Sequence, residues 1–470
     1  MKIVVLTFDR LPASLLGCYG NEWVETPHFD RLAAESTVFA SAFAEIPGPA
    51  SAEHPWWTGR FEFFGRAESQ GLRDEGQAAG DGSRTLFEIL AESGVSFRFL
   101  TERTDGLPPR GVSVENGSAS CFEVVAGEEG LDAEHGDVPF AKLVQRATEI
   151  LDGPGNDQPD LLWLHSRGVP SPWLPPEFFA GLYLDELEDQ DESDATGREI
   201  ADALLDQLRD EPDLVRLLLS DPDDDADDAA ADAELIAAEL GEIGERVRKY
   251  VFAGNISLLD HCLQSLTEAV SRRDDVLFLV TAAGGVSFGE RAGFLANDPA
   301  ASQFAEADDD VCDSLLRVPL LIRPAGPAAF GNRDLRLTLP SDIFATILDC
   351  LSSADRSTVV ADGDSPASTA SLIQPVPGDP VQIDRQVTPH LGATGTLAIR
   401  SSDWILTIPD GLEAFQSDAG CDELTDQAGL YAQPDDRWML NNLTRQQPGV
   451  SAELLDRLRE RISSPDNVAR

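Results

Sequence analysis

The chain of 470 residues is short of positive charge: 35 Lys and Arg stand against 84 Asp and Glu, a formal net charge of -49 at pH 7. Lysine is nearly missing and occurs only at Lys2, Lys142 and Lys249. So negative a chain repels phosphate backbones and anionic headgroups, which argues against nucleic acid or a membrane as a partner. An Asp-rich, Lys-poor surface is also what solubility in a salty solvent favours. The six cysteines, Cys18, Cys121, Cys262, Cys312, Cys350 and Cys421, form no Cys-x-x-Cys pair and no metal-ligand spacing. Reduced, mostly buried thiols are expected, with no disulfide framework. No apolar run is long enough to cross a bilayer, and the opening MKIVVLTFDR is too short for a signal-peptide core. A soluble, cytoplasmic protein is therefore expected.

What is present is material for a large core, since 42% of the residues are hydrophobic. Short apolar runs alternate with helical patterns: KIVVLTF then HFDRLAAES, TLFEILAES then VSFRFL, then DLLWLH, DVLFLVTAA, RVPLLIRP and DIFATILDCLS. Runs rich in Val, Leu and Phe, alternating with helices, predict an α/β fold with a mostly parallel central sheet flanked by helices. In such sheets ligands sit at the carboxyl ends of the strands, which directs attention to the residues after KIVVLTF, DLLWLH and DVLFLVT. Residues 1–380 read as this α/β domain. Within it, about 185–244 reads as an acidic insertion whose segments IADALLDQL and AELIAAEL are helical and whose DPDDDADD between them is a solvated loop. DPDDDADDAAAD lacks the glycine and terminal glutamate of an EF-hand calcium loop. Residues 381–470, with GTLAIRSSDWILTIPDG, AGLYAQPDDRWMLNNLT and SAELLDRLRERI, predict a C-terminal α+β subdomain: a small antiparallel sheet and a closing helix.

Several longer segments go beyond this pattern. LTFDRLPASLLGCYGNEWVETPHFDRLAAESTVF opens the chain, WTGR follows at 57–60, and LFLVTAAGGVSFGER, RVPLLIRPAG, DIFATILDCLS and LYAQPDDRWMLNNL come later in that order. Together they resemble the sulfatases of the alkaline phosphatase superfamily. They stand where that family has its aspartate-ended first strand with LGCYGN and TPxxDRLAxE, the end of its nucleophile signature, TSDHGExLGEH, RVPLIIxxPG, DxxPTLLDLxG and LYDLxxDPxExxNL. The resemblance covers the chain apart from the acidic insertion and implies an alkaline phosphatase-like fold.

It also implies a chemistry. In the family a Cys or Ser within Cys-x-Pro-Ser-Arg is oxidised to formylglycine, whose hydrate is the nucleophile. A divalent cation, typically calcium, is held by carboxylates and an amide and activates that hydrate, while Arg, Lys and His hold the sulfate and the leaving group. An oxygen nucleophile must lose a proton near neutral pH, which a metal makes possible, and the departing anion needs fixed positive charge.

Laid without a gap over GPASAEHPWWTGR, the signature puts the nucleophile on Gly48 and its arginine on Ala52, with Ser51 matching between them. Glycine has no side chain to oxidise. The family's metal-binding Asp and neighbouring His fall on Ala283 and Gly284, its Asp-Pro-His on Gly168, Val169 and Pro170, its paired aspartates on Asp9 and Arg10, and its lysine near Asp308. Asp9 is then a relic ligand or a strand-end acceptor paired with Arg10. Alone it falls short of the roughly six oxygens that a hard cation wants.

These readings predict a sulfatase-like protein without the family's reaction, with no cofactor and no bound metal. Its partner would be a protein or a small ligand, neutral rather than anionic. The alternative is a divergent sulfuric or phosphoric ester hydrolase that uses Ser51, His54 or Asp9 without formylglycine; the plainer reading of Ser51 and His54 is a helix cap beside a surface histidine. His165, in an apolar strand, reads as a core histidine, and His390 as a loop residue. Trp56, Trp57 and Trp173 read as packing or as the lining of a vacated cleft.

Overall fold

The computed structural model describes residues 1–48, 55–59, 84–103, 111–112, 120–155, 158–169, 174–184, 209, 230–288, 311–326, 331–352, 371–373, 386–392, 395–416, 424 and 427–462. Ser51, Ala52, His54, Pro170, Trp173, Asp308 and the loop DPDDDADD lie outside these residues, as does IADALLDQL.

Eight strands form the main sheet: β1 (Lys2–Arg10), β2 (Thr37–Ala42), β3 (Phe97–Thr101), β4 (Ser120–Val124), β5 (Leu161–Gly168), β6 (Val276–Gly284), β7 (Leu320–Arg323) and β8 (Asn332–Thr338). Their spatial order is β4-β3-β5-β1-β6-β7-β2-β8, and β7 alone runs against its neighbours. The central strand β6 is buried from end to end, and β1 from Ile3 to Asp9, on both faces. That explains why KIVVLTF and VLFLVTAA read as unbroken apolar runs rather than alternating ones.

One face is covered by α1 (Pro27–Ala34), by the helix Pro139–Asp152, and by a helix of 42 residues, Ala230–Ser271. Phe8 meets Phe140 on this side, with ring centroids 5.4 Å apart. On the other face lie the short helix Pro55–Thr58 and the helices Leu86–Glu92 and Asp342–Ser352. Thr85 caps Leu86–Glu92 in a capping box with Glu88, as a Thr three residues before a Glu allows. AELIAAEL is the first part of the Ala230–Ser271 helix, which from Val247 onward packs into the core. The helix runs through Gly241 and Gly244, each of which costs it only about 1 kcal/mol.

A second sheet, β9 (Thr388–Leu391), β10 (Leu397–Arg400), β11 (Trp404–Ile408) and β12 (Gly429–Ala432), is antiparallel in the order β12-β11-β10-β9. The helix Pro448–Ile462 buries Leu454, Leu455, Leu458 and Ile462 against it. A separate cluster, including Phe43, Leu316, Ile405 and Tyr431, joins this sheet to the main body. Among the described residues no helix is long and apolar enough to cross a membrane.

Candidate functional site

The parallel register brings the carboxyl ends of β1, β3, β5 and β6 side by side: Thr7 stands opposite both His165 and Thr281, and Arg10 opposite both Gly168 and Gly284. Successive side chains of a strand face opposite sides of the sheet, so Asp9 and Arg10 part company there. Asp9 does not pair with Arg10 as its sequence neighbour; it turns to Arg103, just beyond β3. Arg103 Nη1 lies 3.2 Å from Asp9 Oδ2 and 3.5 Å from Oδ1. Nε2 of His165 lies 3.3 Å from Asp9 Oδ1. His165 Nδ1 is 2.9 Å from Thr7 Oγ1, which also accepts a hydrogen bond of 3.0 Å from Trp163 Nε1. Asp9 and His165 are both buried.

Trp56 and Trp57 roof this group, presenting their faces and edges to the His165 ring at centroid distances of 6.2 and 5.8 Å. Both indoles are buried, which lowers the local dielectric and strengthens every charge contact beneath them. Asp9, His165 and Thr7 have the connectivity of an acid, a base and a hydroxyl nucleophile. Thr7 is nevertheless wholly buried, and its oxygen is held by Trp163, so it cannot meet a substrate.

On the opposite face Glu102 is buried beside the same strand ends. Its Oε1 accepts hydrogen bonds from Ser166 Oγ at 2.8 Å and from the Arg167 amide at 2.7 Å. Among the described residues, Oε2 is buried without a hydrogen-bond partner. Burial pushes the Glu102 carboxyl up to about 7; the bonds from Ser166 and Arg167 oppose that rise, and the charge of Asp9 adds to it. Neither Glu102 nor Arg103 was among the residues singled out in the sequence. A signal lies in the closing acid–Arg pair, which FLTER at the end of β3 shares with LTFDR at the end of β1.

The positions that read as degenerate also come together. Gly48 has φ +129, and the chain at Pro47–Gly48 lies directly against Gly284: a Cβ added to Gly284 would sit 2.9 Å from the Gly48 nitrogen. Ala283 is fully buried. Gly168, with φ +74, has a backbone reason for being glycine, because a Cβ there would fall 2.0 Å from the Arg10 carbonyl oxygen. His390 is not a loop residue. It is buried in β9, its Nδ1 donates to the Ala44 carbonyl at 2.7 Å, and its Nε2 accepts from Thr388 Oγ1 at 2.9 Å. Burial and the charge of Arg400 lower its pKa to about 3, so it stays neutral and joins the two sheets.

A sequence profile of the sulfatase family matches residues 2–353. The chain belongs to the sulfatase family. Its fold is similar to that of a protein solved with its substrate D-glucosamine-2-N,6-O-disulfate (TM-score 0.64, 16% identity, 99% of each chain covered). It is also similar to a phosphonate monoester hydrolase from Agrobacterium radiobacter (TM-score 0.61, 17% identity, 98% of this chain and 95% of the other). A 2-O GAG sulfatase aligns with TM-score 0.62 at 15% identity over 98% of this chain and 92% of its own. At such identities the likeness establishes the alkaline phosphatase-like architecture. No curated protein matches the chain by sequence.

The cation of the sulfatase family does not fit the residues found here. The described strand ends offer one of the expected carboxylates, Asp9, and a guanidinium and an imidazole already lie within 3.5 Å of it. Ala283 and Gly284 supply no side-chain oxygen, and Gly48 supplies no group to activate. Among the described residues no cluster of three or more His, Cys, Asp or Glu is arranged to hold a metal ion.

Proposed function

We propose that this member of the sulfatase family binds a ligand or a protein partner and does not hydrolyse esters. One observation carries the reading: the Asp9 carboxylate is neutralised by Arg103 and flanked by His165 under the two indoles, where the family's chemistry would require it to hold a cation. A buried carboxylate in a hydrogen-bonded ion pair gives up that partner only at a cost of several kcal/mol. Gly48 adds to this, since it has no atom that could attack sulfur or phosphorus. Arg103 in turn spends its charge on Asp9, so this cleft favours neutral groups over sulfate or phosphate esters.

The test is metal analysis of the purified protein together with turnover of aryl sulfate and aryl phosphate esters, with Asp9→Ala and Ser51→Ala as controls. No stoichiometric divalent ion and no turnover above buffer are expected. Ester hydrolysis that either substitution abolishes would defeat the reading and favour a divergent hydrolase.

A further inference from the structure

A second cleft lies between the turns that follow β1 and the arm of chain that follows β12. There Ala13, Ser14, Tyr19, Gly20, Asn21, Glu22, Arg317 and Arg437 enclose a cleft of about 330 Å³. That is the low end of the range for small-molecule sites. Its chemistry is set by the two arginines. Arg437 lies over the ring of Trp438, with its guanidinium carbon 4.5 Å from the centroid, and among the described residues no carboxylate pairs with it. The neighbouring Asp436 is turned away to hold the amides of Leu440 and Asn441 at 2.9 and 2.8 Å. Arg317 gives Nη2 to the Ala40 carbonyl at 2.7 Å and stands 3.7 Å from Asp313. The Nε atoms of both arginines are buried without a hydrogen-bond partner.

A buried N–H of a guanidinium left unmatched is costly, and both of these belong to residues that line the same polar cleft. In a chain with 84 acidic and 35 basic residues, a guanidinium without a carboxylate partner is also against the odds of composition. The remaining polar groups narrow the choice. Asn21 is committed to the Ser14 carbonyl and to the amides of Trp23 and Val24, and the Tyr19 hydroxyl to the Leu320 amide. Ser14 brings a hydroxyl. Glu22, the carboxylate of the lining, is exposed and makes no ion pair with either arginine.

We propose that this cleft binds a small oxyanion, a sulfate, phosphate or carboxylate group, gripped by the guanidinium forks of Arg317 and Arg437 with the Trp438 ring fixing the second fork in place. The inference is independent of what happens at Asp9. It needs no metal and no bond making.

The test is calorimetric titration of the intact protein with inorganic phosphate and with sulfate at constant ionic strength, repeated with phenyl phosphate. Saturable binding is expected, weakened by about tenfold or more in Arg437→Gln and by less in Arg437→Lys, which keeps the charge and loses the fork. Tighter binding of phenyl phosphate than of phosphate would mark the anion as the head of a larger molecule; equal binding would mark it as the free ion. Arg103→Gln, at the strand ends, should leave the titration unchanged. Unfolding midpoints without added anion check that each variant is folded. Absence of saturable binding, equal binding by Arg437→Gln, or loss of binding in Arg103→Gln would overturn the proposal.

Discussion

The carboxylate of Asp9, at the end of β1, and the guanidinium of Arg103, two residues past the end of β3, form an ion pair 3.2 Å long across the intervening strand β5. The pair neutralises the one family-like carboxylate of the site. It predicts a particular non-additivity. Arg103→Met removes the guanidinium from a buried carboxylate, and should cost roughly 2 to 3 kcal/mol in urea denaturation; Asp9→Asn should cost a comparable amount. The double variant should cost less than the sum by at least about 1 kcal/mol, since neither charge is then left alone. Additive costs would mean that the two charges do not depend on each other, and that Asp9 is available for other work.

Glu102 makes stability depend on pH. Its carboxyl is raised from 4.5 to about 7 in the folded protein. The folded state therefore binds a proton that the unfolded chain has already released, and stability is fully present below pH 4.5 and is lost as pH rises to about 7. The loss for this group is up to roughly 3 kcal/mol. Asp260, raised by burial to about 7, acts in the same direction while accepting from the His28 and Phe29 amides at the start of α1. Glu102→Gln should remove the Glu102 share of the slope of unfolding free energy against pH in that window and leave the share that belongs to Asp260. An unchanged slope would show that Glu102 titrates normally.

The two sheets are joined through a buried arginine. Arg400, at the end of β10, donates from Nη1 to Gln433 Oε1 at 3.0 Å, faces Asp313 at 3.2 Å, and lies 4.1 Å over the Phe43 ring. Lysine can reproduce the charge there but neither the fork nor the stacking. Arg400→Lys should cost roughly 2 kcal/mol or more. It should also loosen the second sheet first, seen as protease cleavage within residues 386–462 before the main body is cut. Cleavage spread evenly over both sheets would argue that the junction rests on its apolar contacts alone.

Which parts of this protein could be read from sequence follows from how local each signal is. β1, β5 and β6 are central and buried on both faces, so their apolar runs announce them as strands. The Asp9–Arg103 pair could not be read this way, because it depends on β3 lying two strands from β1 in space although it comes 94 residues later. His390 was misread for another reason. TPHLGATG has the Pro and Gly of a turn, yet Pro389 is tolerated in β9 because that strand is the edge of its sheet and needs no donor on its open side. The change in composition near 244 does not coincide with any break in the Ala230–Ser271 helix, because composition reports solvent exposure and not where a helix ends.

Charge on the whole chain leads to the last prediction. At -49 the compact state works against its own repulsion, which the unfolded chain relieves by expanding. Dissolved salt shortens the reach of that repulsion from about 30 Å at 0.01 M to about 3 Å at 1 M. The buried contacts, Asp9 with Arg103 and Arg400 with Asp313, are screened far less, so the net effect of salt on folding should be favourable. The unfolding midpoint should rise by several degrees between low salt and 1 M potassium chloride, a salt chosen because its ions act mainly by screening. Replacing chloride with sulfate at equal ionic strength separates screening from occupation of the Arg317–Arg437 cleft: a further rise that disappears in Arg437→Gln belongs to the cleft. A midpoint that falls or stays level with added potassium chloride would show that the acidic surface is not under strain, and that the shortage of lysine has no bearing on stability.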